Sequence, residues 1–341
     1  MLATRLYGRE DVRLEDVPDV VPDAGEIRLK VAHNGLCGSD LHMYFHSGAN
    51  QRQPFVLGHE ISGVIDSLGA GVTGVKPGTP VAVRPFLTCT HCDSCDRGLD
   101  HLCATPEILG CGAAQGGGLA EYCIARADMV FPLPQQVSLE HGALVEPMAV
   151  AYHGITRGDV ERGMSVVVFG AGPIGVGVLL GLRALGITDV LVIEPSAARR
   201  AAIAALGATG VLDPASGDVV AAVQAHTMGR GADVVFECAG AIASFAQALA
   251  VARVRGKVVI LAVYESQIEW NPYTIGRKEI ELRAARAYQP GVYEAVIKLM
   301  ADGHYPTAGW VEHIPWTALV EQGFKPLRRG ERMKVLVDLE R

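Results

Sequence analysis

The sequence predicts a two-domain α/β chain in which a mostly-β domain is interrupted by a doubly wound domain built on a parallel sheet. Short strand patterns and turns fill the first half, and no long helical periodicity runs through it. After Glu146-Pro147 the texture changes to Val- and Ile-rich runs separated by Ala-rich helical patterns. The 341 residues exceed a comfortable single core, and the last strand pattern is too short to form a domain by itself. It is expected to return to the first domain, which makes the second an insertion.

In chain order, residues 26–32 alternate as a strand should, 61–68 form another strand, and Pro77-Gly78-Thr79-Pro80 turns into the apolar run 81–83. In the second half the strands are expected at 166–169, 190–193, 234–237 and 258–263. These continuous apolar runs suit a parallel sheet covered on both faces. Helices are expected between them at 174–185, 197–206, 219–227 and 244–254. A strand at 280–287, a helix at 293–301 and a strand at 334–338 complete the chain. The first domain is therefore expected to take residues 1–146 and 288–341, and the second 147–287.

An apolar fraction of 49% with 20% charged residues is that of a compact enzyme and excludes a disordered chain. The formal net charge of -7, with no basic stripe, argues against nucleic acid as a partner. Arg5, Arg9, Glu10 and Asp11 interrupt the stretch where a secretion signal would be apolar, so a cytoplasmic location and reduced cysteines are expected. Residues 165–182 are uncharged, but Gly170, Gly172, Pro173, Gly175 and Gly177 break them into strand, turn and helix. No membrane partner is expected.

Cys89, Cys92, Cys95 and Cys103 form a Cys-x2-Cys-x2-Cys-x7-Cys run. Four thiolates saturate a tetrahedral zinc and leave no open position, which is the composition of a structural site. Upstream lie Cys37 and the pair His59-Glu60, a set that can leave a position for water or substrate, as catalytic zinc sites do. Cys111, Cys123 and Cys238 have no ligand spacing and read as small buried hydrophobes.

Gly170-Ala171-Gly172-Pro173-Ile174-Gly175 follows the expected strand 166–169 and opens the next helix, the context in which this glycine pattern binds a dinucleotide. Gly170 permits the tight turn, Gly172 lets backbone approach a pyrophosphate, and Gly175 lets helix and strand pack closely. Glu194, at the end of the second strand, is placed to accept from ribose hydroxyls and to repel a 2′-phosphate, which favours NAD over NADP. Arg199 and Arg200 follow on the next helix as the cations nearest that position.

Cys37-Gly38-Ser39-Asp40-Leu41-His42, then Gly58-His59-Glu60, the four-cysteine loop, Glu146-Pro147 and the glycine turn occur in the order found in the zinc-dependent medium-chain alcohol dehydrogenases. The chain resembles that family over nearly its whole length, and within it the branch of 2,3-butanediol, sorbitol and threonine dehydrogenases. Its last segment, from Asn271-Pro272 through Met300-Ala301-Asp302-Gly303 to Lys334-Val335-Leu336-Val337, is most similar to butanediol dehydrogenases. The resemblance implies a GroES-like catalytic domain with an inserted Rossmann domain, one catalytic and one structural zinc, and NAD. It also implies a small alcohol or ketone substrate and a homo-oligomer, dimer or tetramer. By the same resemblance Cys37 and His59 are catalytic zinc ligands, with Glu60 and Glu146 both candidates for the third, and Asp40 orients His59. Ser39 and His42 form the proton relay. Met43, Tyr44, Phe45 and His46 are expected to border the substrate.

Overall fold

Side chains alternate in and out over residues 26–31 of the strand Glu26–Gly35, where Ile27, Leu29 and Val31 are buried, and this strand organises the first half of the molecule. The computed structural model describes residues 1–46, 54–114 and 116–339. Its chain divides into two units. The first comprises Met1–Glu146, Gln289–Asp302 and Trp310–Arg341, and the second Pro147–Tyr288 with Gly303–Gly309.

In the first unit a seven-stranded sheet runs Val130–Pro132, Pro80–Val83, Glu60–Leu68, Glu26–Gly35, Lys334–Asp338 and Val311–Pro315, with Tyr122–Arg126 also paired to Glu26–Gly35. The final strand Lys334–Asp338 returns to pair antiparallel with Glu26–Gly35, Leu336 lying opposite Gly35 and Asp338 opposite His33. A smaller sheet carries the hairpin Leu2–Gly8 and Asp11–Asp16 with Phe55–Val56. Ile27, Leu29, Ile61, Ile65, Val81, Val335 and Val337 form the centre of the core. Periodicity did not predict the helix Gly38–His46 of this mostly-β body, nor Leu139–Gly158, whose residues to Glu146 belong to the first unit and from Pro147 to the second.

The second unit has six parallel strands in the spatial order Gly210–Leu212, Val190–Ile193, Val166–Phe169, Ala232–Glu237, Ala252–Ile260 and Glu281–Ala284. Numbered within the unit, that is 3-2-1-4-5-6, the doubly wound order in which ligands bind at the carboxyl ends of strands where the order reverses. Here the reversal lies between Val166–Phe169 and Ala232–Glu237. The central strands Val166–Phe169 and Val190–Ile193 are buried on both faces, which is why they read as unbroken apolar runs. The uncharged segment 165–182 resolves into the strand Val166–Phe169 and the helix Pro173–Ala184. No helix among the described residues is long and apolar enough to cross a membrane.

Several boundaries differ from expectation: the strand expected at 258–263 is Ala252–Ile260, the one expected at 280–287 is Glu281–Ala284, and Tyr288 groups with the second unit. Residues 303–309 group with the second unit although the chain on both sides of them belongs to the first. The helix Ile242–Val251 ends early because Ala252 turns extended (φ -62°, ψ 138°) and begins the next strand, where a helix to 254 was expected.

Candidate active site

The strand Glu26–Gly35 ends two residues before Cys37, and the helix Gly38–His46 begins immediately after that cysteine. Its first turn bends back on the cysteine: the Cys37 amide donates to Asp40 Oδ2 at 2.8 Å, so a fully buried carboxylate fixes the loop. The other oxygen, Asp40 Oδ1, lies 3.7 Å from His59 Nδ1 and has no hydrogen-bond partner within the protein. On the opposite edge of the imidazole, Nε2 stands 3.4 Å from Ser39 Oγ. The ring thus turns Nδ1 toward an acid and leaves Nε2 toward Ser39, the division that a metal-binding histidine needs.

Glu60 is reached through a close passage between strands. It lies opposite Gly35 in the antiparallel pair, and a Cβ on Gly35 would stand 1.9 Å from Glu60 Oε2. Only glycine leaves that space. Across Gly35 the carboxylate meets Lys334, with which it forms an ion pair in which each side chain is 1% exposed. Lys334 Nζ also donates to the Leu36 carbonyl at 3.0 Å. Such a pair is held because each partner removes the penalty of burying the other.

Donor atoms of Cys37, His59 and Glu60 all lie within 4.8 Å of one another. The group includes Glu60 and does not include Glu146, which lies in the interior of Leu139–Gly158 beside Pro147 and not at a helix start. Burial opposes a charge on His59, yet the Asp40 carboxylate and the Cys37 sulfur outweigh it and raise the imidazole well above its ordinary value. This is a pocket that attracts positive charge, and soft sulfur, imidazole and carboxylate together are a donor set suited to zinc.

The four-cysteine loop has a different character. Cys92 and Cys95 Sγ lie 3.5 Å apart, and Cys89 and Cys95 4.0 Å apart. All four thiols are free and within 4.8 Å of one another. Sulfurs bound tetrahedrally at about 2.3 Å stand about 3.8 Å apart, so the loop already has the spacing of a closed zinc site. Backbone bonds from Ala104 and Cys95 bring Cys92 down to about 6, whereas desolvation pushes Cys95 up to about 12. Arg84 anchors the loop through Asp100 at 2.7 Å.

In the second unit, Gly170 has φ +94°, a Cβ on Gly175 would stand 1.9 Å from the Gly170 carbonyl oxygen, and one on Gly172 would meet open space. Gly172 caps the helix that begins Pro173-Ile174-Gly175. Glu194 is buried, its Oε2 accepting from the Ala171 amide and its Oε1 from the Ser196 amide, both at 2.8 Å. It therefore shapes the glycine turn as well as standing beside it. Arg199 lies in the first turn of the helix Ala197–Ala205. Arg200 is tied to Asp213 at 3.0 Å and to the carbonyl groups of Glu194 and Pro195.

Residues 23–135 match the alcohol dehydrogenase GroES-like domain and residues 173–302 the zinc-binding dehydrogenase domain. The chain is 34% identical to (R,R)-butanediol dehydrogenase of Bacillus subtilis over 99% of each chain. It belongs to the zinc-dependent medium-chain dehydrogenases. The crystal structure of the Bacillus subtilis 2R,3R-butanediol dehydrogenase superposes with a TM-score of 0.91, at 33% identity and 99% coverage of both chains. A 2-dehydro-3-deoxy-L-galactonate 5-dehydrogenase of Pseudoalteromonas atlantica is 33% identical over 99% of this chain and 98% of its own. A protein of Sinorhizobium meliloti described as a zinc-binding dehydrogenase, bound to NADP, is 29% identical with a TM-score of 0.92 over 99% and 98% of the two chains. The dehydrogenase is thus an oxidoreductase with the GroES-like and Rossmann architecture of its family, which works with zinc and a nicotinamide dinucleotide.

Three readings of the sequence change. Met43 and Tyr44, expected beside the substrate, lie in the core at 6% and 4% exposure, Tyr44 packing on Phe324 with ring centroids 4.7 Å apart. Phe45 packs on the edge of the same core, and His46 is exposed. Cys111 is not a remote hydrophobe: its Sγ lies 3.8 Å from His59 Nδ1. Cys123 does fit that description, buried with burial pushing its thiol up to about 12. Sequence reasoning also passed over Glu237, fully buried at the end of its strand, which accepts from the Ala239 and Gly240 amides, Ser244 Oγ and Tyr264 Oη. An acid ending an apolar strand was the available signal.

Proposed function

We propose that the dehydrogenase interconverts small secondary alcohols or vicinal diols of the 2,3-butanediol kind with their ketones, using NAD. Cys37, His59 and Glu60 hold the catalytic zinc, with Glu60 the third ligand in preference to Glu146. Cys89, Cys92, Cys95 and Cys103 hold the structural zinc. The convergence of the Cys37, His59 and Glu60 donors carries this reading, in a chain similar end to end to a butanediol dehydrogenase.

Bound zinc supplies Lewis acidity that favours loss of a proton from an alcohol. Ser39 Oγ, beside His59 Nε2, receives that proton, and His42, exposed on the same helix three residues on, passes it to solvent. Asp40 keeps His59 Nδ1 protonated, and Lys334 balances the charge of Glu60. For the cofactor, Gly170, Gly172, Pro173, Ile174 and Gly175 offer the pyrophosphate a side-chain-free approach to a helix N-terminus. Glu194 retains lone pairs for the adenosine ribose, and its charge opposes a 2′-phosphate. Arg199 flanks the adenosine end, while Arg200 is already engaged by Asp213.

The test is a panel of 2,3-butanediol, simple secondary alcohols, sorbitol, threonine and sugar acids, each with NAD and with NADP. The expected order places a small diol or secondary alcohol with NAD highest in kcat/KM. Sorbitol, threonine or a sugar acid outrunning every small alcohol would overturn the substrate assignment, and preference for NADP would overturn the cofactor assignment.

A further inference from the structure

Three adjacent strands of the first unit bring together a polar group separate from both cysteine-containing sets. His33 lies on Glu26–Gly35, directly opposite Asp338 on the neighbouring strand Lys334–Asp338, and His313 lies on Val311–Pro315, the next strand over. Nδ1 of His33 and Nδ1 of His313 stand 2.9 and 2.7 Å from the same oxygen, Asp338 Oδ1. The two imidazoles meet edge to face at 81°, centroids 5.3 Å apart. On the far edge of His313, Nε2 stands 3.7 Å from Glu140 Oε1.

We propose that His33, His313 and Asp338 form a third metal site, for a divalent transition ion of the zinc class. Two imidazole nitrogens and one carboxylate oxygen favour zinc, cobalt or nickel over calcium or magnesium, which take oxygen ligands. Ligands held tetrahedrally at about 2.0–2.1 Å stand about 3.3 Å apart, so the donors need to open by only about half an ångström. Rigid sheet register has already set their directions, which lowers the ordering that binding requires. Glu140 faces the second nitrogen of His313, as carboxylates do behind metal-bound histidines. The side chains of His33, His313 and Asp338 are 21%, 36% and 41% exposed, so an ion can enter and keep a water ligand. His313 and Asp338 also border a cavity of about 380 Å³ lined by Leu2, Leu14, Ile314 and Trp316.

The site would join Glu26–Gly35, which leads to Cys37, to the strand whose Lys334 holds Glu60. The experiment uses the enzyme with both cysteine-containing sets loaded, dialysed against micromolar free Zn²⁺. Wild type is expected to take up one more zinc per chain than the double variant His33→Gln/His313→Gln, with the tightly held zinc equal in both. Added Zn²⁺ should raise the melting temperature of wild type and leave that of Asp338→Asn unchanged. Equal zinc uptake by wild type and the double variant, or an equal thermal shift in Asp338→Asn, would overturn the proposal.

Discussion

Glu60 and Lys334 lie 274 positions apart in the chain, yet each is 1% exposed and each is the other's charge partner. Lys334→Met should therefore leave a buried anion and destabilise the folded state by about 3–5 kcal/mol, read from urea unfolding. A change below about 1 kcal/mol would mean that Glu60 finds compensation elsewhere. Glu194 has two roles in the proposed reading, since its oxygens accept from Ala171 and Ser196 and its charge is proposed to meet the adenosine ribose. Glu194→Ala is expected to weaken NAD, improve NADP and lower stability by roughly 1.5–3 kcal/mol, the range for hydrogen bonds to a charged group. Unchanged cofactor preference in steady-state kinetics would count against that placement. The two candidate donor sets were legible because packing alone seldom sets cysteines and histidines at metal-ligand spacing. Lys334 was not, because a lysine in a strand pattern normally points to solvent. Met43 and Tyr44 misled because a short helix carries too few residues to declare its buried side, and their side turns out to be the core.

Two glycines of one turn separate packing from binding. A Cβ on Gly175 would collide with the Gly170 carbonyl, so Gly175→Ala should lower the melting temperature and weaken NAD together. Gly172 has room for a methyl group, so Gly172→Ala should melt as wild type does and weaken NAD alone, measured by fluorescence titration. Equal NAD affinity in Gly172→Ala would remove the pyrophosphate from this turn. Periodicity found the central strands of this unit because fully buried parallel strands leave only apolar residues, and Val166–Phe169 and Val190–Ile193 match expectation to the residue, but it missed the half-buried edge strand Gly210–Leu212. It missed the helix Leu139–Gly158, whose nearly continuous burial around Ala143 to Ala149 hides a polar face and whose Pro147 signals a break. It missed Gly38–His46 because Gly38, Ser39 and Asp40 read as a turn.

At the scale of the whole chain, the change of texture after Glu146-Pro147 and the returning strand 334–338 were enough to anticipate two units and an interrupted first one. The seven residues Gly303–Gly309 were not anticipated, since nothing in so short a stretch shows which core it joins. The two cysteine-containing donor sets lie in one unit but differ in what they should do. A set with an open position serves chemistry, and a closed four-thiolate set contributes folding energy. Metal content, melting temperature and turnover of Cys37→Ala and Cys92→Ser, after dialysis against a weak chelator, test this division directly. Wild type should hold two zinc ions per chain. Cys37→Ala should lose one, keep its melting temperature and lose turnover, whereas Cys92→Ser should lose the other and melt earlier. Turnover surviving in Cys37→Ala, or an active wild type with one zinc or fewer, would contradict it.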